Sequence, residues 1–531
     1  MIEDLADRGQ PGDTRDITRH CDVVVIGAGT LGLPTTALLA REAGKRVICL
    51  ESGGEQQQSE THPLNAIDGA SRGYRGAAHG RFRCLGGTSS RWGATLIPFQ
   101  QADLEGAGWP LRLNELTPHL PAAERFFGLD HSAYDASDLP VALGPTHVAR
   151  LAKMPSFRHR NVAHLVGDEL RQSRRAEVWL NATVIGLDAD AGGAGVQVRA
   201  RAPEGQTLTV SAPRLIIAAG AIETTRLALL LDRGCDGEIR RTSPDLGRFF
   251  TDHISLPVAD IEPLNRAALN RIVGYRFGAS GSMRNLRFEL APQSAARREA
   301  PPNFAYVGFE PPRTGGFEAL HGLFKSVQIG QLPPARVVGE GLRHLPWLIR
   351  AAWWRLAYKR LLYPSEVPLQ AYIVAEQRAD RGNRISLSET RRDQYGVPLP
   401  VLDWRLADAD YDGLERAAAL LEETWTGSGL ARLGRFRRRP VGRATARPAD
   451  NYHPTGSTRM GRDASCGVVD RDLRLFARPQ VQLLATSVLP TGGGANPTLM
   501  AFLLALRCVE QHAQAQPHGR KTGAARSAAA R

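Results

Sequence analysis

Residues 451–460, NYHPTGSTRM, place a histidine, His453, in a stretch rich in proline, glycine and hydroxyl side chains. An imidazole has a pKa near neutrality, so a histidine can accept or donate a proton at physiological pH. A histidine in a polar turn is also an ordinary surface residue. The local sequence does not separate these two interpretations, and the rest of the chain has to decide.

A second stretch with evident chemistry is residues 21–51, CDVVVIGAGTLGLPTTALLAREAGKRVICLE. It predicts a buried strand, a tight turn, a helix closed by a glycine, and a second buried strand. In this context the spacing of Gly27, Gly29 and Gly32 indicates a dinucleotide site, with room for a tight turn, a pyrophosphate and close helix packing. The phosphates would meet the helix N-terminus. Glu51, at the end of the second strand, suits an unphosphorylated ribose, as in FAD or NAD.

Other elements that would position these groups lie far apart in the chain. Residues 178–184 and 213–219 read as strands, and the second of these is followed by glycine and a helix. Residues 481–486 read as a further strand, followed by SVLPTGGGANPT and a last helix. The nucleotide fold is therefore expected to be assembled from distant segments, with a second domain in the middle of the chain.

Composition bounds the class of protein. The chain has 531 residues, 42% apolar and 23% charged, as expected for a packed protein of two or three domains. Six scattered cysteines without metal-ligand spacing favour reduced thiols in a cytoplasm, without zinc or disulfides. We find no signal peptide and no apolar run long enough to span a membrane, and we expect no nucleic-acid partner and no membrane contact.

Two basic segments leave alternatives open. The net charge is +13, and the run RLGRFRRRPVGR (432–443) could favour an anionic substrate, although a solvated surface is the simpler interpretation. Residues 346–362 predict an amphipathic helix with Leu345, Leu348, Ile349, Ala352, Trp353 and Leu356 on one face. Such a helix can lie on a membrane, but we expect a lid or surface helix that packs on its own domain.

With the glycine turn and Glu51, three further stretches resemble the glucose–methanol–choline (GMC) flavoprotein oxidoreductases. They are LGGTSSRWGA (85–94), LGRFFTDH (246–253) and the C-terminal pair NYHPTGSTRMG and SVLPTGGGANPT. The resemblance implies a bound FAD and oxidation of an alcohol C–H by hydride transfer to flavin N5. It also implies an α/β fold, in which a Rossmann-like FAD-binding domain of discontinuous segments joins an α+β substrate-binding domain.

The resemblance divides the chain as follows. Residues 21–259 and 446–512 form the FAD-binding domain, with cap segments around 100–170, and residues 260–445 form the substrate-binding domain. Residues 1–20 are expected to be a flexible tail and residues 513–531 a disordered one.

The resemblance also assigns site residues. His453 becomes the base that takes the hydroxyl proton, and Asn496 the amide that holds the alcohol oxygen. Contacts to the cofactor are expected from Gly27, Gly29, Gly32, Glu51, Gly86, Gly87, Thr88, Ser89, Trp92, Gly93, Val184, Ser487, Asn496, Pro497 and Thr498. Some members attach FAD through a histidine in the 85–94 stretch, where this chain has Arg91, so we expect non-covalent FAD.

The substrate is the least determined property. A sugar, a glycoside or another polyol is the first expectation, and an alcohol of secondary metabolism is the alternative. Relatives of the fold also include lyases that cleave cyanohydrins and light-driven fatty-acid decarboxylases, and a non-enzymatic flavin-binding role is a further alternative. The electron acceptor is oxygen or another carrier, and no metal is expected.

Overall fold

The computed structural model describes residues 1–7, 16–56, 62–69, 74–193, 195–278 and 281–514. Its strands are β1 (Ile2–Asp4), β2 (Asp16–His20), β3 (Val23–Ile26), β4 (Val47–Leu50), β5 (His147–Met154), β6 (Ala176–Leu180), β7 (Thr183–Ala189), β8 (Val196–Arg201), β9 (Thr207–Ala212), β10 (Arg214–Ile217), β11 (His253–Pro263), β12 (Arg276–Phe277), β13 (Met283–Leu290), β14 (Asn303–Gly308), β15 (Leu369–Glu376), β16 (Arg384–Arg392), β17 (Pro398–Asp403), β18 (Gly434–Arg438), β19 (Ala449–Asp450), β20 (Arg474–Leu475) and β21 (Arg478–Leu483). Its α-helices are α1 (Gly32–Arg41), α2 (Gly76–His79), α3 (Gln101–Leu104), α4 (Leu120–Phe126), α5 (Phe157–Arg160), α6 (Val162–Gln172), α7 (Ala221–Gly234), α8 (Glu238–Thr242), α9 (Arg266–Val273), α10 (Gly316–Ile329), α11 (Ala335–Arg343), α12 (Leu345–Tyr358), α13 (Asp408–Thr426) and α14 (Thr498–Gln514).

The first sheet has the strand order β1-β6-β4-β3-β10-β21-β20, and all neighbours are parallel except the last pair. Its central strands read VVVI, VICL and RLII, and nearly every residue in them is buried, because helices cover both faces of a parallel sheet. The carboxyl ends of β3, β10 and β21 meet at one edge. The loops that follow these strands at this edge line the cleft described below.

The strand–helix–strand unit expected over residues 21–51 is present as β3, α1 and β4. The single strand expected over 178–184 is wrong. The chain forms β6 in the first sheet and then β7 in a separate four-stranded sheet ordered β2-β9-β8-β7. Asn181 takes a left-handed conformation between them (φ = +51°), and asparagine is one of the few non-glycine residues that adopt it readily.

The expected N-terminal tail is also wrong in its described part. Ile2–Asp4 pair with Val178–Leu180 at the edge of the first sheet, and Asp16–His20 pair with β9. Hydrogen bonding to an existing strand orders these segments although they lack apolar periodicity. At the other end, residues 513 and 514 belong to α14, and the remainder of the expected 513–531 tail lies outside the described residues, as do residues 8–15.

The second large sheet is antiparallel, in the order β12-β13-β14-β15-β11-β18, with β5 beside β13 and β19 beside β11. Strand β11 runs from His253 to Pro263, so the expected boundary at 259/260 falls within a single strand. The whole of β11 belongs to the second sheet. Its first residue, His253, lies next to the loop that carries His453.

The helix expected over 346–362 is present as α12 and packs as a surface helix on its own chain, but much of the expected apolar face is exposed. Ile349, Trp353 and Leu356 are 62%, 56% and 81% exposed, and the helix is anchored instead through Ala351 and Trp354. Among the described residues, none of the helices is both long and apolar enough to cross a membrane.

The basic run 432–443 forms β18 and the loop after it, and it is a surface of ion pairs. Arg437 pairs with Glu262 and Arg439 with Asp260, at 3.1 and 2.6 Å. Because these charges are already compensated at the surface, the solvated interpretation of this run fits the structure better than a substrate site.

Candidate active site

A deep cleft with about 1420 Å³ of empty space opens at the carboxyl edge of the first sheet. Loops after β3, β4, β10 and β21 form its walls, together with the 76–92 segment and the turn around His453. Ten of the residues expected at the site line it: Gly27, Gly29, Glu51, Gly87, Thr88, Trp92, Val184, His453, Pro497 and Thr498. The fold thus brings both ends of the chain to one cavity.

The glycine turn is shaped by close backbone contacts. Gly27 has φ = +100°, and a Cβ atom there would lie 2.7 Å from the carbonyl oxygen of Ala218. Gly87 has φ = +53°, and its Cβ would lie 2.7 Å from the Cα of Gly29. The loop that carries Gly27 and Gly29 therefore packs backbone to backbone against the loops that carry Ala218 and Gly87, and only glycine permits so close an approach. Gly32 lies behind the turn, where a Cβ would be 2.0 Å from the Gly27 carbonyl oxygen.

These contacts separate two effects of substitution. In Gly29→Ala the new methyl group meets its nearest protein atom, the Cα of Gly87, at an ordinary 3.9 Å, but it projects from a turn that lines the cleft. We expect this variant to keep the melting temperature of the apoprotein and to lose at least about tenfold in flavin affinity. Flavin absorbance relative to protein absorbance after gel filtration measures the loss.

Gly27→Ala is the matched comparison. Its methyl group meets backbone atoms in a left-handed conformation, so we expect a lower melting temperature with or without flavin, by a free energy on the order of 1–2 kcal/mol or more. Equal flavin retention by wild type and Gly29→Ala would show that no phosphate approaches this turn.

Glu51 is buried at the end of β4 and holds the glycine turn. Its Oε2 accepts a hydrogen bond from the Ala28 amide at 2.8 Å, and its Oε1 accepts one from the Gly53 amide at 2.9 Å. Burial raises the pKa of this carboxyl above its usual value, against the effect of these two amides. Because a carboxylate has further lone pairs, Glu51 can also accept a ribose hydroxyl from the cleft side.

Six of the expected site residues are not part of the cleft lining: Gly32, Gly86, Ser89, Gly93, Ser487 and Asn496. Ser89 donates to the Gly86 carbonyl at 2.6 Å and accepts from the Val162 amide at 3.0 Å, so it braces the loop from behind. Ser487 is fully buried and accepts a hydrogen bond from the Thr458 hydroxyl at 2.7 Å. Both serines have protein partners for their hydroxyl groups.

His453 stands at the centre of a hydrogen-bonded chain. Its Nε2 lies 2.9 Å from the side-chain nitrogen of Asn496, and its Nδ1 lies 3.1 Å from Nδ1 of His253. The other nitrogen of His253, Nε2, lies 2.8 Å from the carbonyl oxygen of Gly493. The fold therefore brings together the side chains of His453 and Asn496, which the sequence prediction paired, and adds His253 to them.

The Gly493 carbonyl determines where the protons are. A carbonyl oxygen only accepts, so His253 must donate from Nε2, which leaves Nδ1 of a neutral His253 as an acceptor. His453 then donates from its own Nδ1, and its Nε2 carries a free lone pair. Through this lone pair Nε2 accepts a hydrogen bond from the Asn496 amide, and Nε2 is therefore the basic atom of the site. The side-chain amide of Asn451 lies 3.2 Å from Nδ1 of His453. With the positions of its oxygen and nitrogen exchanged, this amide is a second acceptor for the Nδ1–H of His453.

Arg287 fixes the other end of the chain. Its Nη2 donates to the side-chain oxygen of Asn496 at 2.5 Å, so the amide must turn its nitrogen towards His453. Arg287 lies on β13 of the second sheet, whereas Asn496 lies between β21 of the first sheet and helix α14. Both sheets thus contribute to one orientation of the reacting groups.

Electrostatics keeps both histidines neutral. Burial, the neighbouring His253 and Arg287 hold the pKa of His453 well below 6.5, and burial lowers the pKa of His253 to about 4. Asp252 accepts the His453 backbone amide at 2.8 Å and the Tyr74 hydroxyl at 2.6 Å, and burial raises its pKa to about 8. The raised pKa favours the neutral carboxyl of Asp252 near pH 7, which weakens any stabilisation of a protonated His453 by this group.

Sequence reasoning assigned no role to His253 or Arg287. His253 closes the 246–253 stretch, so the motif was noticed, but its function depends on a contact between residues 200 positions apart. No sequence motif marks Arg287 as a site residue, because an arginine within a strand is not distinctive in an arginine-rich chain.

Comparison with known proteins adds an independent line of observation. The model of the GMC oxidoreductase family matches residues 379–505. The C-glycoside 3-oxidase of Arthrobacter globiformis is 30% identical over 130 residues, 24% of this chain and 23% of that protein. The 2-methyl-1,2-propanediol dehydrogenase of Mycolicibacterium austroafricanum is 21% identical over a match that covers 92% of this chain and 94% of that enzyme.

Among solved structures, pyridoxine 4-oxidase from Mesorbium loti superposes with a TM-score of 0.58 at 15% identity, covering 93% of this chain and all of that one. At that identity the likeness concerns the fold. The match to the C-glycoside 3-oxidase spans less than a quarter of that protein's length, whereas the diol dehydrogenase and the pyridoxine oxidase are matched nearly end to end.

Proposed function

The chain belongs to the GMC oxidoreductase family, and we propose that it is an FAD-dependent enzyme that oxidises a CH–OH group of a sugar, glycoside or polyol. The observation that carries the proposal is the His453–Asn496 pair, whose basic nitrogen and amide lie 2.9 Å apart at the cleft. The names of two relatives, which are a glycoside oxidase and a diol dehydrogenase, support this substrate class.

FAD fits the cleft residues. The glycine loops would leave room for a pyrophosphate, Glu51 suits the ribose, and Val184 lines the cleft and is proposed to face adenine. The turn at Pro497 and Thr498 opens α14 beside His453. FAD, when bound, accepts the hydride from the substrate carbon. The Rossmann-like arrangement proposed here comprises the first sheet and its loops, and β11 with the rest of the second sheet is proposed to face the substrate.

The protein's own residues handle the proton. A substrate hydroxyl that bridges the pair accepts a hydrogen bond from the Asn496 amide and donates its proton towards Nε2 of His453. When the carbinol carbon gives up its hydride, the proton passes to Nε2 and a carbonyl product remains. His453, now positive in a buried site beside His253 and Arg287, releases the proton to solvent for the next turnover.

The proposed FAD is non-covalent. Of the described residues that line the cleft, His453 is the one histidine, and the proposed mechanism uses it as the base. Arg91 stands where some relatives have the attaching histidine. We expect acid precipitation of the holoenzyme to release all yellow colour into the supernatant. Colour retained in a washed pellet would contradict this prediction.

Anaerobic reduction tests the proposal as a whole. The purified holoenzyme is mixed without oxygen with a panel of sugars, glycosides, diols and aromatic alcohols while flavin absorbance is followed. Bleaching by at least one polyhydroxylated alcohol is the expected result. A flavin that no alcohol bleaches, combined with cyanide release from a cyanohydrin, would replace this proposal with the lyase reaction.

The pH dependence follows from the direction of the His453 pKa shift. The neutral form is the base, and its pKa is lowered, so the neutral form is fully populated at pH 7 and above. We expect the rate of flavin reduction to fall on the acid side with a midpoint below pH 6.5, whereas a change of rate between about pH 7 and 9 would report the ionisation of Asp252, whose pKa lies near 8. An acid limb with its midpoint at about pH 6.5 would argue against His453 as the base.

A further inference from the structure

Exposed apolar side chains are concentrated in one part of the molecule. Of the twelve large apolar side chains that are exposed among the described residues, nine lie between positions 324 and 356. They are Phe324, Val327, Leu332, Val338, Leu342, Leu345, Ile349, Trp353 and Leu356. Single apolar residues are normal on a protein surface, whereas a concentration of this kind indicates a surface that meets another molecule.

Helices α10, α11 and α12, with the loop between α10 and α11, form the helical layer that carries these residues. The inside of this layer is already packed. A Cβ atom at Gly316 of α10 would lie 2.6 Å from the Trp347 ring of α12, and one at Gly322 of α10 would lie 3.0 Å from Val337 of α11. The three helices are therefore joined by contacts other than those of the exposed side chains.

Helix α12 has apolar side chains on two opposite faces. Ala351 and Trp354 are buried, whereas Ile349, Trp353 and Leu356 are exposed. The three exposed residues recur at a spacing of three to four residues and therefore share one face. At about 100° per residue, this face lies roughly opposite Ala351 and Trp354. A helix that is apolar on both sides is normally covered on both sides.

The helical layer is also strongly basic. Residues 313–362 contain eight lysines and arginines but only two glutamates, and Glu340 is already paired with Arg343 at 3.5 Å. On α12, Arg350 and Arg355 are both exposed and flank the exposed apolar face on its two sides, roughly 90–130° from its centre. Positive charges that border an apolar face are typical of helices that lie in the headgroup region of a membrane.

A second copy of the chain fits this surface poorly. In a two-fold dimer the same patch meets itself, so the basic side chains of one copy would face those of the other. The charge therefore favours an anionic occupant, and the apolar face favours an occupant with an apolar interior. A bilayer that contains anionic lipids has both properties.

We propose that the helical layer docks this protein on the surface of an anionic membrane. Its exposed apolar side chains lie at the boundary between headgroups and acyl chains, and its basic side chains contact the lipid phosphates. The sequence led us to expect no membrane contact, because no apolar run is long enough to span a bilayer. A helix that lies in the interface does not span the bilayer, so that reason does not apply to it.

The helical layer rests on a loop of the candidate active site. Gln328 of α10 is fully buried, and its side-chain nitrogen donates to the carbonyl oxygens of Trp92 at 2.9 Å and Ser89 at 3.3 Å. Trp92 lines the cleft. Docking through the helical layer would therefore place the 85–94 loop on the side of the protein nearest the membrane.

Flotation of the holoenzyme with lipid vesicles tests the inference. One set of vesicles is pure phosphatidylcholine, and the other contains about 30% phosphatidylglycerol, which supplies anionic headgroups. We expect the wild type to float with the anionic vesicles, with an affinity at least about tenfold higher than for the neutral vesicles. Added salt should weaken this binding, because it screens the charges.

Two variants separate the apolar from the charged contribution. The first is Ile349→Ser/Trp353→Ser/Leu356→Ser, and the second is Arg336→Glu/Arg350→Glu. Each should lower the affinity for anionic vesicles at least about tenfold, because apolar area and cationic side chains both contribute to interfacial binding. All five positions are exposed, so the melting temperature and the flavin content of both variants should match those of the wild type.

Matched controls lie outside the helical layer. Arg432→Glu/Arg435→Glu, at exposed positions of the basic run 432–443, makes the same change of charge as the second variant. Leu264→Ser removes an exposed apolar side chain elsewhere on the surface. Both controls should bind anionic vesicles within about twofold of the wild type.

The inference is overturned if the wild type does not float with anionic vesicles, or if either variant of the helical layer keeps the wild-type affinity. It is also overturned if the control Arg432→Glu/Arg435→Glu weakens binding as much as Arg336→Glu/Arg350→Glu, because net charge alone would then explain the binding.

Two further outcomes would assign the surface to another occupant and also overturn the inference. Retention on poly-glutamate beads without vesicle binding would point to an acidic protein partner. A dimer in sedimentation that the triple serine variant converts to monomers, again without vesicle binding, would make the surface a contact between two copies of the chain.

Discussion

His453→Ala is expected to retain FAD and to reduce it at least about a hundredfold more slowly than the wild type with the best substrate. The variant removes Nε2, the one basic atom that the hydrogen-bonded chain aims at Asn496, and losing a positioned general base costs about 10²–10⁴ in rate. Because His453 is one of many residues that line the cleft, the other lining residues that would hold the flavin remain in this variant. Stopped-flow reduction under anaerobic conditions measures the effect.

His20→Ala, at an exposed histidine on β2, is the control and should leave the rate unchanged. A spectrum after gel filtration shows whether flavin is retained. If His453→Ala binds FAD and reduces it at the wild-type rate, His453 takes no part in the chemistry and the proposed mechanism is wrong.

His253→Leu has the second largest expected effect, although His253 is assigned no contact with substrate. Leucine cannot accept the hydrogen bond from Nδ1 of His453, so the tautomer with a free Nε2 loses its advantage. In serine-protease triads a wrong histidine tautomer costs about 10⁴ in rate. Here the linked group is neutral, and we expect a loss of roughly 10- to 100-fold in flavin reduction with little change in substrate dissociation constant.

His253→Gln is the conservative partner of that variant. A glutamine amide can accept from His453 and donate to the Gly493 carbonyl, so we expect it to recover most of the rate lost in His253→Leu. A merely structural role for His253 would instead make the rates follow the melting temperatures of the two variants. Equal rates in both variants at equal stability would remove His253 from the positioning chain.

Local patterns made part of this site predictable. The glycine turn and Glu51 were predictable because a strand, a turn and a helix follow one another within 31 residues, and His453 and Asn496 because they stand in distinctive stretches. His253 and Arg287 act through contacts between residues about 200 positions apart, which no local pattern encodes. The free lone pair on His453 depends on the carbonyl of Gly493, a group that every residue has.

Contacts between distant segments also explain why some predictions of the fold were wrong. A short N-terminal segment becomes a strand because β6 offers it a hydrogen-bonding edge, and its composition carries no sign of that edge. The break at Asn181 separates two strands that belong to different sheets, although the residues on both sides favour extended structure. The exposed face of α12 shows that a periodic apolar stripe predicts a helix more securely than it predicts which side is covered.

The pairing of β21 with β10 has a consequence for how the protein is made. Strands β3, β4, β6 and β10 leave the ribosome long before β21, so the edge of β10 stays unpaired while residues 218–477 are synthesised. Pro497, Thr498 and Asn496 follow later still. A complete flavin cleft therefore exists only after residues 478–498 have been synthesised, and in a cell short of flavin the folded product is an apoprotein that still lacks its cofactor.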